Sequence, residues 1–180
     1  KMKVTFVRHG ETDWNSQGKQ QGKADIPLNE KGLQQAQKTA ELLSNMEFDH
    51  VYCSPLMRAR QTAQVICEGR KVPITYDERI SERDMGEFQG KRWEEFDTRK
   101  FWDYNADVHY EKAENIQDFY KRVYDFLDSL KNKEQKDESV LIVSHGGVFA
   151  PVSSYSGRSR KEDNLIDNLL ANAQAYTFEL

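Results

Sequence analysis

Val4-Thr5-Phe6-Val7-Arg8-His9-Gly10-Glu11-Thr12 is a short run of β-forming residues that stops on a dense cluster of ionisable side chains. Val4, Phe6 and Val7 favour a buried strand, and Gly10 gives the backbone freedom to turn where that strand ends. Arg8 and His9 therefore emerge at a strand end. In open α/β sheets, ligands bind beyond the carboxyl ends of the strands.

The same pattern returns late in the chain. Val140-Leu141-Ile142-Val143 is a continuous apolar run of the kind that marks a strand covered on both faces, and it ends on Ser144-His145-Gly146-Gly147. Between the two lie shorter strand candidates, His50-Val51-Tyr52-Cys53 and Pro73-Ile74-Thr75-Tyr76, and a last one follows near 175–178. Helical spacing separates them. Asn29 caps a helix whose buried face is Leu33, Ala36, Ala40 and Leu43, ending near Asn45. Ser54 as N-cap and Pro55 at the first helical position open a second, with Leu56, Ala59, Ala63 and Ile66 as its buried stripe. Asn115 caps the clearest helix, with Ile116, Phe119, Tyr120, Val123, Phe126, Leu127 and Leu130 on one side. A charged turn at 131–138 leads from it into the Val140 strand, and a short helix follows Gly147. Strands alternating with helices predict a largely parallel sheet wrapped on both faces.

Two stretches lack clean periodicity. Residues 14–27 are polar, contain Gly18, Gly22 and Pro27, and read as a loop returning over the sheet edge, long enough to touch a ligand. Residues 84–110 carry Phe88, Trp93, Phe96, Phe101, Trp102, Tyr104 and Tyr110, which read as a satellite hydrophobic cluster compatible with a lid over a pocket.

The 180 residues fit one domain, 1–180, with a small aromatic-rich excursion at 84–113. Charged residues make up 31% with both signs mixed, and the net charge of −4 offers no general attraction for nucleic acid or an anionic membrane. An anionic ligand would need a local cationic pocket. No apolar run is long enough to span a bilayer and the N-terminus lacks a signal-peptide pattern, so the expected location is the cytoplasm. Cys53 and Cys67 have no metal-like spacing and read as reduced, buried hydrophobes.

The chemistry-bearing residues recur at predicted strand ends or helix starts. His9 and His145 each leave an apolar strand beside Gly, Arg8 adjoins the first, and Glu82 follows the third strand. Arg58 and Arg60 fall in the first turn of a helix, where the dipole disfavours cations; either both extend into water or an anion sits between them. Arginine suits a bidentate grip on phosphate oxygens, a neutral histidine nitrogen can attack phosphorus, and a carboxylic acid can protonate a leaving oxygen. Phosphoryl transfer rests on positioning and charge stabilisation, which cationic side chains supply without a metal.

Arg8-His9-Gly10-Glu11-Thr12 with Asn15, then Pro27-Leu28-Asn29-Glu30-Lys31-Gly32, Ser54-Pro55-Leu56-Met57-Arg58-Ala59-Arg60-Gln61-Thr62-Ala63, Glu82 with Gly86 and Gln89-Gly90, and Ser144-His145-Gly146-Gly147 together resemble the histidine phosphatase superfamily, in its phosphoglycerate-mutase-like branch. The blocks span nearly the whole chain in family order. The resemblance implies an α/β fold, a three-layer α/β/α sandwich with a mostly parallel central sheet, and a two-step mechanism through a phosphohistidine that needs neither metal nor cofactor. It implies that His9 is the nucleophile, that Arg8, Arg58 and His145 hold the transferred phosphoryl group, and that Glu82 is the general acid and base. Asn15, Gln21 and Gly22 match positions that contact phosphate or substrate.

The chain departs from the family pattern in two places. Many members carry a basic residue after the second His-Gly-Gly, where this chain has Val148-Phe149-Ala150, and Gln89 stands where many phosphatase-like members have Glu. Mutases are longer and carry a Tyr- and Pro-rich insertion, so the short 84–113 region favours hydrolysis over isomerisation. The expected function is thus a phosphomonoesterase acting on a small phosphorylated metabolite. The alternatives are a phosphoglycerate mutase, a non-catalytic binder of phosphorylated ligands and a metallohydrolase, the last without any recognisable ligand spacing.

Overall fold

A computed structural model describes residues 1–133 and 137–180. Five strands, β1 (Lys3–Arg8), β2 (His50–Cys53), β3 (Ile74–Tyr76), β4 (Ser139–Ser144) and β5 (Ala175–Glu179), form one sheet in the order β3-β2-β4-β1-β5. β1, β2, β3 and β4 are parallel, and β5 pairs antiparallel with β1. The last long strand thus inserts between the first two. Arg8 faces Ser144 across the β1/β4 ladder, so the residues that follow them, His9 and His145, leave the sheet side by side.

Alternate residues of each strand feed two cores. Val4, Phe6, Val140 and Ile142 pack on one face with α5 (Ile116–Lys131) and α6 (Phe149–Tyr155). Val7, Val51, Cys53, Leu141 and Val143 pack on the other, over residues at the end of α2 (Glu30–Leu42) and along α3 (Met57–Ile66). The result is the expected three-layer sandwich. β4 is inaccessible from Val140 to Val143, as its unbroken apolar run requires. Among the described residues no helix is long and apolar enough to cross a membrane.

The buried stripe of α5 is the one its periodicity predicts, from Ile116 to Leu130. Asn115 stands at its N-cap, but its side-chain amide bonds the Asp118 carboxylate and leaves the helix amides alone. Asn29 does cap α2, its Oδ1 accepting from the Gly32 amide at 2.8 Å. That helix ends at Leu42 rather than Asn45, and its buried face is Gly32, Ala36 and Thr39, with Leu33 40% exposed. The reason is close backbone approach: a Cβ on Gly32 would strike the backbone of Glu11, and a Cβ on Gly10 would strike that of Gly32. The helix therefore presents its smallest residues to the β1 turn, and Leu33 is rotated outward.

Three other expectations are corrected. The loop at 14–27 is preceded and partly replaced by a one-turn helix, α1 (Asp13–Ser16), capped reciprocally by Thr12 and Asn15. α3 begins at Met57, two residues beyond the expected Pro55, and its N-cap Leu56 makes no side-chain bond; Leu56 is only half-buried. The aromatics at 84–110 are no satellite: Phe88, Phe101 and Trp102 belong to the main core under α5, with Trp93, Phe96, Tyr104 and Tyr110 packed against it. This segment is built of 3₁₀ turns and the short α4 (Thr98–Phe101), so it has no single period to read. The charged turn expected at 131–138 falls partly outside the described residues.

Candidate functional site

At the carboxyl edge of the sheet, a cleft is lined by Arg8, His9, Asn15, Gln21, Gly22, Arg58 and Glu82, with Gly146 and Gly147 in its floor. His145 lies beside this lining, its ring 5.2 Å from that of His9, centroid to centroid. All eight residues expected from the sequence are therefore gathered at one sheet edge.

His9 is 2% exposed and held by its own turn. Its backbone amide continues the β1/β4 ladder by donating to Ser144 O at 2.9 Å. Its Nδ1 lies 2.7 Å from Gly10 O, an acceptor only, so Nδ1 carries the proton and Nε2 carries the lone pair. Thr62 anchors the turn by accepting from the Gly10 amide at 3.0 Å while donating to Arg58 O at 2.8 Å. Burial, then the charges of Arg58 and Arg8, push the His9 pKa well below the usual histidine value. The imidazole is therefore neutral at physiological pH.

Arg58 is buried in the site, whereas Arg60 is exposed and lies over the Tyr76 ring at 4.9 Å, so the two arginines of that helical turn part company. Arg58 Nη1 donates to Ala24 O at 2.7 Å and Nη2 to Gly22 O at 2.8 Å. Those carbonyls fix the guanidinium without neutralising it. Gln89 in turn accepts from the Lys23 amide at 2.7 Å, tying this loop to the aromatic segment. Gly22 has φ +52°, and any Cβ there would meet the Gln89 carboxamide. Burial lowers the Arg58 pKa to about 10 and that of Arg8 in the same direction, with Glu82 opposing both shifts. Arg8 Nη1 donates to Leu170 O at 2.7 Å. Both arginine Nε groups are buried without a partner, as is His145 Nδ1. Unpartnered polar groups of this kind, converging beside one cleft, suit the binding of an oxyanion.

Glu82 is held by two backbone amides. Oε1 accepts from Arg83 at 2.9 Å and Oε2 from Gly147 at 3.0 Å. Gly147 must be glycine, since a Cβ would collide with both Glu82 Oε1 and the Trp102 ring edge. Among the described residues no group of three or more His, Cys, Asp or Glu is arranged to hold a metal ion.

Several contributors escape sequence reasoning. Ser54 Oγ lies 2.7 Å from His145 Nε2 and accepts from the Leu56 amide at 3.2 Å, so the hydroxyl expected to cap α3 serves a histidine. Burial, with Arg58 and His9 nearby, pushes the His145 pKa well below the usual histidine value. Asn172 donates to His9 O at 3.1 Å and to Asn15 Oδ1 at 3.3 Å from a loop far along the chain. Thr12 donates to Gln21 Oε1 at 2.7 Å. Ser54, Thr12 and Thr62 stand inside the sequence blocks that carry the arginines and His9, which is the signal that could have found them; Asn172 has no such signal.

Residues 4–177 match the family model of the histidine phosphatase superfamily, branch 1, and the chain belongs to that superfamily. It is 39% identical over 155 residues to the Bacillus subtilis protein named "Uncharacterized phosphatase PhoE", covering 86% of this chain and 77% of the relative. It is 34% identical over 186 residues to the Arabidopsis thaliana phosphoglycerate mutase-like protein 4, covering 98% and 79%. Among solved structures, the α-ribazole phosphatase from Shigella flexneri superposes with a TM-score of 0.82 at 28% identity, over 98% of this chain and 89% of that one. The superfamily thus joins phosphatases and mutases around one fold.

Proposed function

We propose that the protein is a metal-independent phosphomonoesterase that hydrolyses a small phosphorylated metabolite through a phosphohistidine on His9. The observation that carries this reading is the His9 imidazole: buried, neutral, fixed as the Nδ1–H tautomer by Gly10 O, and flanked by Arg8 and Arg58, each with a buried Nε that has no partner.

Arg8, Arg58 and His145 hold the three non-bridging phosphoryl oxygens, with Asn15, Gln21 and Gly22 along the outer wall. The Ser54 hydroxyl donates to His145 Nε2, which leaves Nδ1–H to reach a phosphoryl oxygen. Nε2 of His9 attacks phosphorus in line; the N–P bond forms as the P–O bond breaks, and the Glu82 carboxylic acid gives its proton to the departing oxygen. The alcohol leaves. Glu82, now a carboxylate, takes a proton from water as that water attacks the phosphohistidine, the P–N bond breaks, and phosphate and neutral His9 are restored. The arginines offset the charge gathering on the equatorial oxygens in both steps.

The test is phosphate release from a panel of phosphomonoesters in the presence of EDTA, comparing wild type with His9→Ala. Release by the wild type alone is expected. Release that EDTA stops, or that survives His9→Ala, contradicts the reading. A mutase reading has its own support in the mutase-like relative; it predicts 2-phosphoglycerate from 3-phosphoglycerate with little free phosphate. Binding of a phosphorylated ligand without any turnover would point to the non-catalytic alternative.

A further inference from the structure

We infer that the leaving-group side of the cleft is a subsite for an uncharged alcohol bearing an apolar, ring-sized group, and that a second anion on the substrate works against turnover; this rests on the phosphatase reading above.

The path of the leaving group is set by Glu82. An alcohol oxygen able to take the Glu82 proton lies at that carboxyl, and the carboxyl meets the edge of the Trp102 indole over Gly147, where a single added Cβ would strike both. The first carbons of the alcohol therefore run against Trp102. Beyond it, the same lining holds Met85, Trp93, Leu165 and Leu169. Met85 and Leu165 are buried, and Leu169 is 54% exposed, a large apolar side chain on the wall of this cleft. A lone exposed leucine is ordinary on a protein surface. Here it shares a wall with two tryptophans, and a ligand's apolar body would take that surface out of water.

The charges agree. Arg8 and Arg58 belong to the phosphoryl group, which leaves Lys19 as the one further basic side chain in the lining. Its Nζ lies 6.0 Å from the ring centroid of Trp14, a side chain outside that lining. The segment after the second His-Gly-Gly, Val148-Phe149-Ala150, is apolar and buried and supplies no cation. A carboxylate or second phosphate on the alcohol would lose its water against Trp102, Met85 and Trp93. An uncharged ring loses nothing by entering.

Three esters of unactivated primary alcohols separate charge from apolarity while keeping leaving-group chemistry comparable: 2-phenylethyl phosphate, glycerol 1-phosphate and 3-phosphoglycerate. The expected order of kcat/KM is as written, with 2-phenylethyl phosphate ahead of 3-phosphoglycerate by about tenfold or more. Leu169→Ala, a change at an exposed position, should narrow that gap by lowering the phenylethyl ester alone, and Leu169→Arg should narrow it from the other side by raising 3-phosphoglycerate. Equal or better turnover of 3-phosphoglycerate, or a gap untouched by Leu169→Ala, overturns the subsite while leaving the phosphatase reading intact. No phosphate from any of the three overturns both.

Discussion

The Ser54 hydroxyl serves two partners at once: its lone pair accepts from the Leu56 amide, and its oxygen lies 2.7 Å from His145 Nε2. Its position after an apolar strand and before Pro55 reads as a helix cap, yet it lies against His145 Nε2 while the helix starts two residues later without a side-chain cap. The residue was legible and its task was not, because local sequence cannot say that a histidine ninety-one positions away will arrive beside it. The same holds for Arg58 and Arg60: helical spacing puts both in one turn, and only tertiary packing buries the first and exposes the second. Removing the hydroxyl frees His145 to take either tautomer and leaves a buried nitrogen unpaired, a loss of about 1–2 kcal/mol. Ser54→Ala is expected to lower kcat by about tenfold with KM little changed. Ring ¹⁵N shifts of His145 should then move away from the Nδ1–H pattern; unchanged shifts and unchanged kcat would remove Ser54 from the site.

Elements were most legible where burial follows one period. α5 lies across one core with a full apolar stripe, so its seven buried positions follow from spacing alone. α2 is different, because its approach to the β1 turn is set by glycine rather than by bulk. Gly10 and Gly32 bring two backbones together there, and the helix turns Leu33 outward as a result. Hydrophobicity ranks leucine above glycine at a buried position, which is why Leu33 reads as buried, whereas Ala36 and Leu43 are buried as expected and Ala40 packs against the core. Gly32→Ala should force the Glu11 backbone to shift. Overpacking of this kind costs about 1–3 kcal/mol, and because Gly10 follows His9, activity should fall with stability. A denaturant midpoint and a rate measured on the same sample test this, and a variant unchanged in both contradicts the close packing. The aromatic segment at 84–110 is opaque for the opposite reason: it has ample bulk, but its 3₁₀ turns leave no period to read.

For the whole molecule, the strand order is what makes the site, and no local pattern reveals it. β4 inserts between β1 and β2, which brings His9 and His145 together and sets Ser54 beside them. That arrangement has a pH consequence. Both histidines are buried with folded pKa values well below the ordinary 6.5, lowered by desolvation and then by Arg58. Below about pH 6.5 the unfolded chain binds protons that the folded site refuses, so each histidine contributes a loss of up to about 1.4 kcal/mol per pH unit as the pH falls. Above that pH neither contributes any slope. Unfolding free energy in phosphate-free buffer should therefore drop between pH 6.5 and 5, before the carboxylates titrate, and the drop should flatten in His9→Gln with His145→Gln. An equally steep slope in the double variant would mean that these histidines are protonated in the fold and that His9 is no nucleophile at rest.

The proposed mechanism passes phosphate through His9. Its most direct measurement is rapid alkaline quench of the enzyme during turnover of a ³²P-labelled aryl phosphate, followed by mapping of base-stable, acid-labile label. A label is expected on His9 that is absent in His9→Ala and that accumulates in Glu82→Gln, because an activated leaving group needs little protonation while the water step still lacks its base. Steady turnover with no trapped label, or label that persists in His9→Ala, would contradict it.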